Sequence, residues 1–518
     1  MSTIYEALLE KWCNSLLKLQ ISEINMAGIY GGIMCPACSR IHGRSADAIY
    51  PLMHMAHKTG DRKYLEAAIH LQDWSDHFSA PDGSWVNEVE NGWKGISVFG
   101  AISLGEAIRH HGDILDEDVL KKWKHRLQHA TEFLYDYMTI STGNINYPIS
   151  AALAFAISGE VLKNEKFNKR ARDLGQDVLA YFTENKLIFG EGRPQDGRTP
   201  KGCRAVDLGY NVEESLPFLT MYGLMMNDED MLNLITDSLR AHLDFMLPDG
   251  AWDNSWGSRN YKWTYWGSRT SDGCQAAYAL LADRDPQFAE AALRNTQLLD
   301  SCTHDGMLYG GPHNYMKGEL PCIHHTFCHA KALATVIDYQ AHRNTSDGYA
   351  RHIQLPRELA VGVKSYPEIA TWLTSMGSWR STITAYDWIY NEDGHASGGS
   401  VTMLWHDKLG PLLCGSMTKY QMYEGTNAQR DRERWSMPLT PRIELESGGE
   451  TYSSTYDYCA KVSYTELEDE IVFLAVGTLR NSKQQIPRSG EMNYQMEYRH
   501  TRNVFVVNVR VEAGSRGE

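Results

Sequence analysis

Residues Met307 to Lys331 read MLYGGPHNYMKGELPCIHHTFCHAK, a Gly/Pro-broken loop that runs into an apolar helical pattern from Phe327 to Gln340. Just ahead of it stands HDG (304–306). A Gly-containing turn followed by a polar, aromatic-rich loop also occurs as PDGSW (81–85), STGNINYP (141–148), PQDGRTPKG (194–202) and PDGAWDNSWG (248–257). Measured from Asp82, Thr142, Asp196, Asp249 and Asp305, these loops recur every 53 to 60 residues. Such a period marks a helical repeat array, in which each unit buries its apolar face on the next. An earlier loop, GIYGGIMCPACSRIHGR (28–44), begins the series. Six loops imply six helix pairs, the count that closes an (α/α)6 toroid, although spacing alone also suits an open solenoid. In a closed ring the loops that lead into the inner helices converge on one rim.

The helices follow from apolar residues at three-to-four spacing. They are expected over Ile4–Leu19, Ala46–His57, Lys63–Phe78, Ile96–His110, Leu115–Tyr137, Ile149–Leu162 and Phe167–Phe182. The same period continues over Val206–Met226, Met231–Met246, Gly273–Ala282 and Pro286–Leu299. The fold class is thus mainly α with a β domain: a toroid over 1–345, a linker over 346–365 and an antiparallel β-sandwich over 366–518. The sandwich is read from TITAYDWIYN, SVTMLWHD, GPLLCGSM, EIVFLAVGTL and NVFVVNVRVE, which are β-branched, aromatic and close to alternating. The chain ends directly after a strand, at GSRGE, which allows for an incomplete sandwich.

With 518 residues and a formal charge of −15, the chain is large enough for two domains and too acidic for a nucleic-acid partner, whose phosphates demand a basic face. A membrane partner is not expected either, because no apolar run reaches the roughly 18 residues of a spanning helix. The N-terminus, MSTIYEALLEKWCNSLLKL, is amphipathic and lacks the plan of a signal peptide. A periplasmic or secreted protein whose signal has been removed, or a cytoplasmic one, fits equally. Ten cysteines do not make a disulfide scaffold. Cys35-Pro-Ala-Cys38, with His42 behind it, lacks a second C-x-x-C pair and reads as buried, reduced cysteine. On ring closure the stretches at 35–42 and 322–329 become neighbours, where their His and Cys would suit zinc. Even so, no metal or other cofactor is expected.

The rim positions of a closed toroid are His42 and Arg44 from the first loop, Trp85, Asn87 and Trp93 from the second, and Asn144, Asn146 and Tyr147 from the third. The fourth supplies Arg193, Arg198, Lys201, Arg204, Tyr210 and Asn211. The fifth supplies Trp252, Trp256, Arg259, Trp263, Tyr265, Trp266 and Arg269, and the sixth His313, Tyr315, His324 and His325. Flat indole and phenol faces cover the apolar faces of sugar rings. Guanidinium groups pair bidentately with carboxylate or sulfate, so cations among these aromatics in an acidic chain point to an acidic sugar. A loop packed under its own tryptophans accounts for the same residues.

A toroid followed by an antiparallel sandwich resembles the toroid class of polysaccharide lyases, including heparinase II/III-like enzymes. The resemblance spans the chain in architecture and is carried by NxNYP (Asn144, Asn146, Tyr147), GYN (Tyr210, Asn211) and PCIHHTFCH. Among these, the L-rhamnose-α-1,4-D-glucuronate lyases are the nearest group. The resemblance implies β-elimination at C4 of a uronic acid in an acidic polysaccharide or oligosaccharide. The uronate carboxylate must be neutralised before C5 gives up its proton, a base takes that proton, and an acid protonates O4. The resemblance points to Tyr210 and His325 for proton transfer, with His42, His324, Tyr265 and Tyr315 in reserve, and to Asn211, Asn146, Arg44 or Arg269 for the carboxylate. It leaves Trp85, Trp93, Tyr147, Arg198, Trp256, Trp263, Tyr265, His313, Tyr315 and His324 as sugar contacts. Two other classes fit the same rim. One is a toroid hydrolase using carboxylates such as Asp207, Glu213, Asp253 and Asp272; the other is a non-catalytic carbohydrate binder.

Overall fold

The computed structural model describes residues 3–23, 25–26, 28–85, 92–260, 272–341, 353–391, 394–415, 417–418, 420–421, 435–436 and 440–514. Within them, six outer and six inner helices alternate along the chain. The outer helices are α1 (Ile4–Leu19), α3 (Arg62–Asp76), α5 (Glu117–Tyr137), α7 (Glu165–Val178), α9 (Glu229–Leu243) and α11 (Pro286–Ser301). The inner helices are α2 (Ile49–Thr59), α4 (Ser97–His111), α6 (Asn146–Val161), α8, α10 (Gln275–Tyr278) and α12 (Ile323–Ala341). Helix α8 is composite: Leu208–Tyr210 is α-helical, Asn211–Ser215 forms a π-helical turn, and Leu216–Met226 is α-helical again.

Sequence explains the two rings. Outer helices such as α7 carry one apolar stripe (Phe167, Ala171, Leu174, Val178) and expose the rest. Helix α6 instead is buried from Pro148 to Gly159, as a helix apolar on all sides must be. Each inner helix packs on the next, from α2 through α4, α6, α8, α10 and α12 back to α2, and α1 packs on α12. The ring is therefore closed, and the open solenoid is excluded. At the end of the ring remote from the loops, Asp338 of α12 accepts hydrogen bonds from Tyr50 and His54 of α2 and from His111 of α4.

Five of the six loops share one structural job, a tight turn that rests on the following outer helix; in the third, Gly143 meets Trp93 and Tyr147 instead. Gly83 (φ 90°) sits on the backbone of His129 in α5, and Gly306 (φ 80°) sits on Ser15 of α1, where any side chain would collide. The second contact joins the last loop to the first helix. It is reinforced by Trp12 Nε1 donating to Thr303 Oγ1 (3.1 Å) and Ser15 Oγ donating to the Asp305 carbonyl (3.2 Å). The fourth turn is not at Asp196–Gly197, as the sequence suggests. It is at Thr183–Leu187, with Lys186 in the left-handed region (φ 64°) and its carbonyl held by Ser238 of α9. Lysine there hides the turn from a search for glycine.

Two antiparallel sheets follow. The first joins β1 (Gly362–Tyr366), β2 (Thr371–Met376), β3 (Trp379–Thr384), β4 (Ser400–His406) and β5 (Gly410–Cys414) in order. The second joins β6 (Lys461–Glu466), β7 (Glu470–Thr478), β8 (Met492–Thr501) and β9 (Phe505–Ala513). Met376, Ile383 and Val401 of one sheet pack against Ile471, Phe473, Ala475, Tyr494, Met496 and Tyr498 of the other, which makes a sandwich. A helical turn (Pro356–Leu359) and β1 occupy part of the stretch read as linker.

The sandwich docks on the loop rim of the toroid. Arg357 donates to Asp253 Oδ2 at 2.8 Å, with both side chains essentially buried, and Thr382 donates to the same oxygen. Tyr386 donates to the Arg204 carbonyl (2.6 Å) and accepts from the Val206 amide (3.0 Å).

Candidate active site

The site forms where loops three, four and five meet above the inner helices. The chain segments around Gly190, Ala205 and Ser258 lie side by side. The amides of Gly190 and Glu191 donate to the Ala205 carbonyl, and Ser258 N donates to the Val206 carbonyl. Asp207 then caps α8, accepting from Tyr210 N (3.1 Å) through one oxygen and from Arg259 N (2.9 Å) through the other. That cap sets Tyr210 at the head of α8, one residue before the π-helical turn. Turns of this kind widen a helix and often mark functional positions.

Arg259 follows from the same framework. Its guanidinium lies 4.1 Å from the Tyr210 ring centroid and 5.2 Å from that of Tyr390, which the sandwich contributes. It also ion-pairs Glu191 at 3.0 Å, with Glu191 fully buried. A cation over a phenol ring favours the phenolate, because the charge attracts both the π face and the developing oxyanion. At the start of α6, Asn146 N donates to Glu191 Oε1 (3.2 Å) and Asn146 Nδ2 to Glu214 Oε1 (2.5 Å). Burial, helped by the charge of Asp272, pushes the Glu214 carboxyl up to about 8. Burial also raises Glu191, against the opposing pull of Arg259. Glu214 therefore stands neutral at pH 7 beside Asn146.

A second charged layer lies beside Glu214. Arg44 pairs with Asp47 (2.5 Å) and Asp272 (3.0 Å), and Lys331 with the same two carboxylates at 3.0 and 3.1 Å. Burial pushes Asp272 up, but Lys331 and Arg44 outweigh it and hold the group below its ordinary value. Of the carboxylates named for a hydrolase, Asp207 is committed to a cap, Asp253 to Arg357 and Asp272 to two cations, while Glu213 is fully buried 4.0 Å from His329 Nε2.

Several expected contacts are placed elsewhere. Asn211 spends its amide hydrogens on the Ile188 carbonyl (3.0 Å) and on His242 Nε2 (3.1 Å), so it anchors α8 and has no N–H left for a carboxylate. Burial lowers His242 to about 4, and its Nδ1 donates to the Ser238 carbonyl, leaving Nε2 to accept. Arg44 is buried with its charge compensated by Asp47 and Asp272, under Phe99. Trp85 is buried beneath the Arg126 guanidinium (3.6 Å). Trp256 is buried between Phe245 and Tyr386. Both tryptophans are core residues because their loops fold back onto outer helices or under the sandwich. Arg204 lies over Phe189. Tyr315 is exposed and stacks on His304 in the outer part of loop six. His42 Nε2 lies 3.6 Å from Cys322 Sγ, and His324 stacks on Phe327 with its ring 6.1 Å from that of His42.

Other expectations fit a sugar cleft. Trp93 Nε1 donates to Tyr147 Oη (3.1 Å), and both rings are partly exposed. Asn144 donates to Tyr390 Oη at 3.4 Å. Arg198, by contrast, is exposed and lines a different cleft, of about 460 Å³, with Lys201, Arg204, Phe182, Phe189 and Glu368, which shares no lining residue with the Tyr210 site. His325 is buried in the first turn of α12, its carbonyl accepting from His329 Nδ1 (2.8 Å). Asn87, Trp263, Tyr265, Trp266 and Arg269 lie outside the described residues, as does the side chain of His313. Arg259 stood among the rim positions, but its partner Glu191, and Glu214 beside Asn146, gave no sequence signal.

Comparison with known proteins shows the family. Residues 9–358 match a family model described as the ulvan lyase N-terminal domain, and residues 363–517 match the ulvan lyase C-terminal domain. A broad-specificity ulvan lyase from Formosa agariphila is 41% identical over 512 residues, covering 98% of this chain and 80% of that protein. Among solved structures, the chondroitin AC lyase of Streptomyces coelicolor A3, in complex with chondroitin sulphate, has a TM-score of 0.53 at 14% identity. That match covers 96% of this chain and 68% of the other, a likeness of fold across both domains.

Proposed function

This chain belongs to the ulvan lyase family and is a polysaccharide lyase that acts by β-elimination on a uronic-acid-containing polysaccharide; we propose that its substrate is ulvan and that the expelled group is a rhamnose on O4 of glucuronate. The observation that carries the site assignment is Tyr210 held under the Arg259 guanidinium at the head of α8. In this reading Asn146 and Arg259 face the uronate carboxylate and offset its charge, so that C5 becomes acidic enough to lose its proton. The Tyr210 phenolate takes that proton, the C5–H electron pair becomes the C4=C5 double bond, and the C4–O4 bond breaks. O4 leaves with its bonding pair and recovers a proton from the Tyr210 phenol. In glucuronate the C5 hydrogen and O4 lie on the same face of the ring, so one phenol serves both transfers. His325 is the second candidate for proton transfer. Trp93, Tyr147 and Tyr390 line the sugar path.

The toroid (1–345) supplies this chemistry and the sandwich (366–518) supplies Tyr390 and one wall. A polymer substrate favours a periplasmic or secreted site of action, which fractionation of the native host would test.

The substrate assignment is tested by offering ulvan, glucuronate-capped arabinogalactan, heparan and alginate in parallel. The near-ultraviolet band of an unsaturated uronate is then followed. Ulvan should give the band fastest; a band with the other polymers and none with ulvan would overturn the assignment.

A further inference from the structure

Four side chains at the ring-closing junction take no part in the proton transfers above. Cys35 and Cys38 stand on a tight turn between two short paired segments, Met34–Cys35 and Arg40–Ile41. Ser39 N donates to the Cys35 carbonyl (2.9 Å), and Ser39 adopts a left-handed φ of 52°. That bend turns the chain sharply between the two cysteines and His42. Cys322 comes from loop six, one residue before α12. All four residues are buried, and their ligating atoms all lie within 4.8 Å of one another.

The spacing is that of a coordination polyhedron. Cys35 Sγ and Cys322 Sγ are 3.8 Å apart, and Cys322 Sγ and His42 Nε2 are 3.6 Å apart. With Zn–S near 2.3 Å and Zn–N near 2.0–2.1 Å, a tetrahedral centre has edges of about 3.8 Å between sulfurs and about 3.6 Å between sulfur and nitrogen. A disulfide would need its two sulfurs at about 2.05 Å, far closer than this pair.

We propose that Cys35, Cys38, His42 and Cys322 bind one zinc ion as a structural centre that ties the first loop of the toroid to the last. Three thiolates and an imidazole suit zinc over harder cations, and four protein ligands leave no open position for substrate or water. Cys35 and Cys322 are separated by 287 residues, so the metal closes nearly the whole toroid. It acts where Gly306 and Trp12 already join loop six to α1. Because loop six also delivers α12, the ion fixes the register of His325 and Lys331 without touching substrate.

The test is zinc content by mass spectrometry on the full chain, produced without a histidine tag and dialysed against metal-free buffer. About one zinc per chain is expected, together with the thiolate-to-metal charge-transfer bands of a tetrahedral centre after cobalt exchange. Cys322→Ser should lose the zinc, whereas Cys459→Ser, at an exposed thiol, should keep it. If Cys322→Ser fails to fold, the wild-type zinc content and cobalt spectrum still decide. Chelation should lower Tm while leaving kcat unchanged in the molecules that stay folded. Wild-type protein free of zinc, an octahedral cobalt spectrum, or full zinc in Cys322→Ser would overturn the proposal. A folded, metal-free enzyme with unchanged Tm and lost turnover would overturn its structural role.

Discussion

Arg259 bridges Tyr210 and Glu191: its guanidinium lies 4.1 Å from the Tyr210 ring centroid and 3.0 Å from the Glu191 carboxylate. One cation thus links a buried phenol to a fully buried carboxylate, and loop four to loop five. The pairing explains why an acidic chain keeps a positive charge at its site. Glu191 holds the arginine in place, and burial of both sharpens the field at Tyr210.

Breaking this pair from one side should be costly. Arg259→Met leaves Glu191 buried without its counter-charge, which typically destabilises by about 3–5 kcal/mol. Glu191→Leu in the same chain should restore part of that loss, because a matched apolar pair avoids the desolvation penalty. Activity should stay lost in both variants. Chemical denaturation of the two single variants and the double variant measures the cycle, and strictly additive losses would show that the residues are uncoupled.

Glu214, raised to about 8, makes a signed pH prediction. The folded state holds a proton that the unfolded chain releases near the ordinary carboxyl value. Between that value and about 8 the native state therefore binds more protons, so this group lowers stability as pH rises through the window. Glu214→Gln should flatten that slope, read from urea midpoints at several pH values. The wild-type enzyme should also show KM rising above about pH 8, as a carboxylate charge appears beside Asn146 and the substrate anion. A KM independent of pH up to 9 would remove Glu214 from the account.

The sandwich is fixed to the toroid by Arg357 and Asp253, buried on both sides. Arg357→Ala leaves Asp253 with the hydroxyls of Thr382 and Ser255 and no cation, so a loss of about 3–5 kcal/mol is expected. Because Tyr386 and Tyr390 travel with the sandwich, kcat/KM on polymer should fall further than the stability loss explains. A variant with wild-type Tm would show that the ion pair is dispensable.

The ring was legible in the sequence because its determinants are local: apolar periodicity and Gly turns at a steady spacing. Lys186 escaped notice because a lysine there adopts the left-handed conformation that usually announces glycine. The site was legible only in part. Tyr210 and Asn146 stand at the heads of inner helices, which periodicity locates. Glu191 and Glu214 are acids in acidic surroundings, and only tertiary contact reveals that one anchors Arg259 and the other is held neutral. Aromatic density misled for Trp85 and Trp256, since indoles that cover a sugar and indoles that fill a core look alike in sequence. The metal-type cluster was visible as C-x-x-C with a nearby His and as the stretch at 322–329 that ring closure brings beside it; which residue there joins it, Cys322, needed the structure.

The most direct test is Tyr210→Phe, assayed for unsaturated uronate on ulvan with binding measured separately. The substitution keeps the ring under Arg259 and removes only the hydroxyl that shuttles the proton. Turnover should fall by about 10²–10⁴-fold, the usual loss on deleting a general acid–base group, with affinity and Tm nearly unchanged. A variant that eliminates at the wild-type rate would contradict the mechanism.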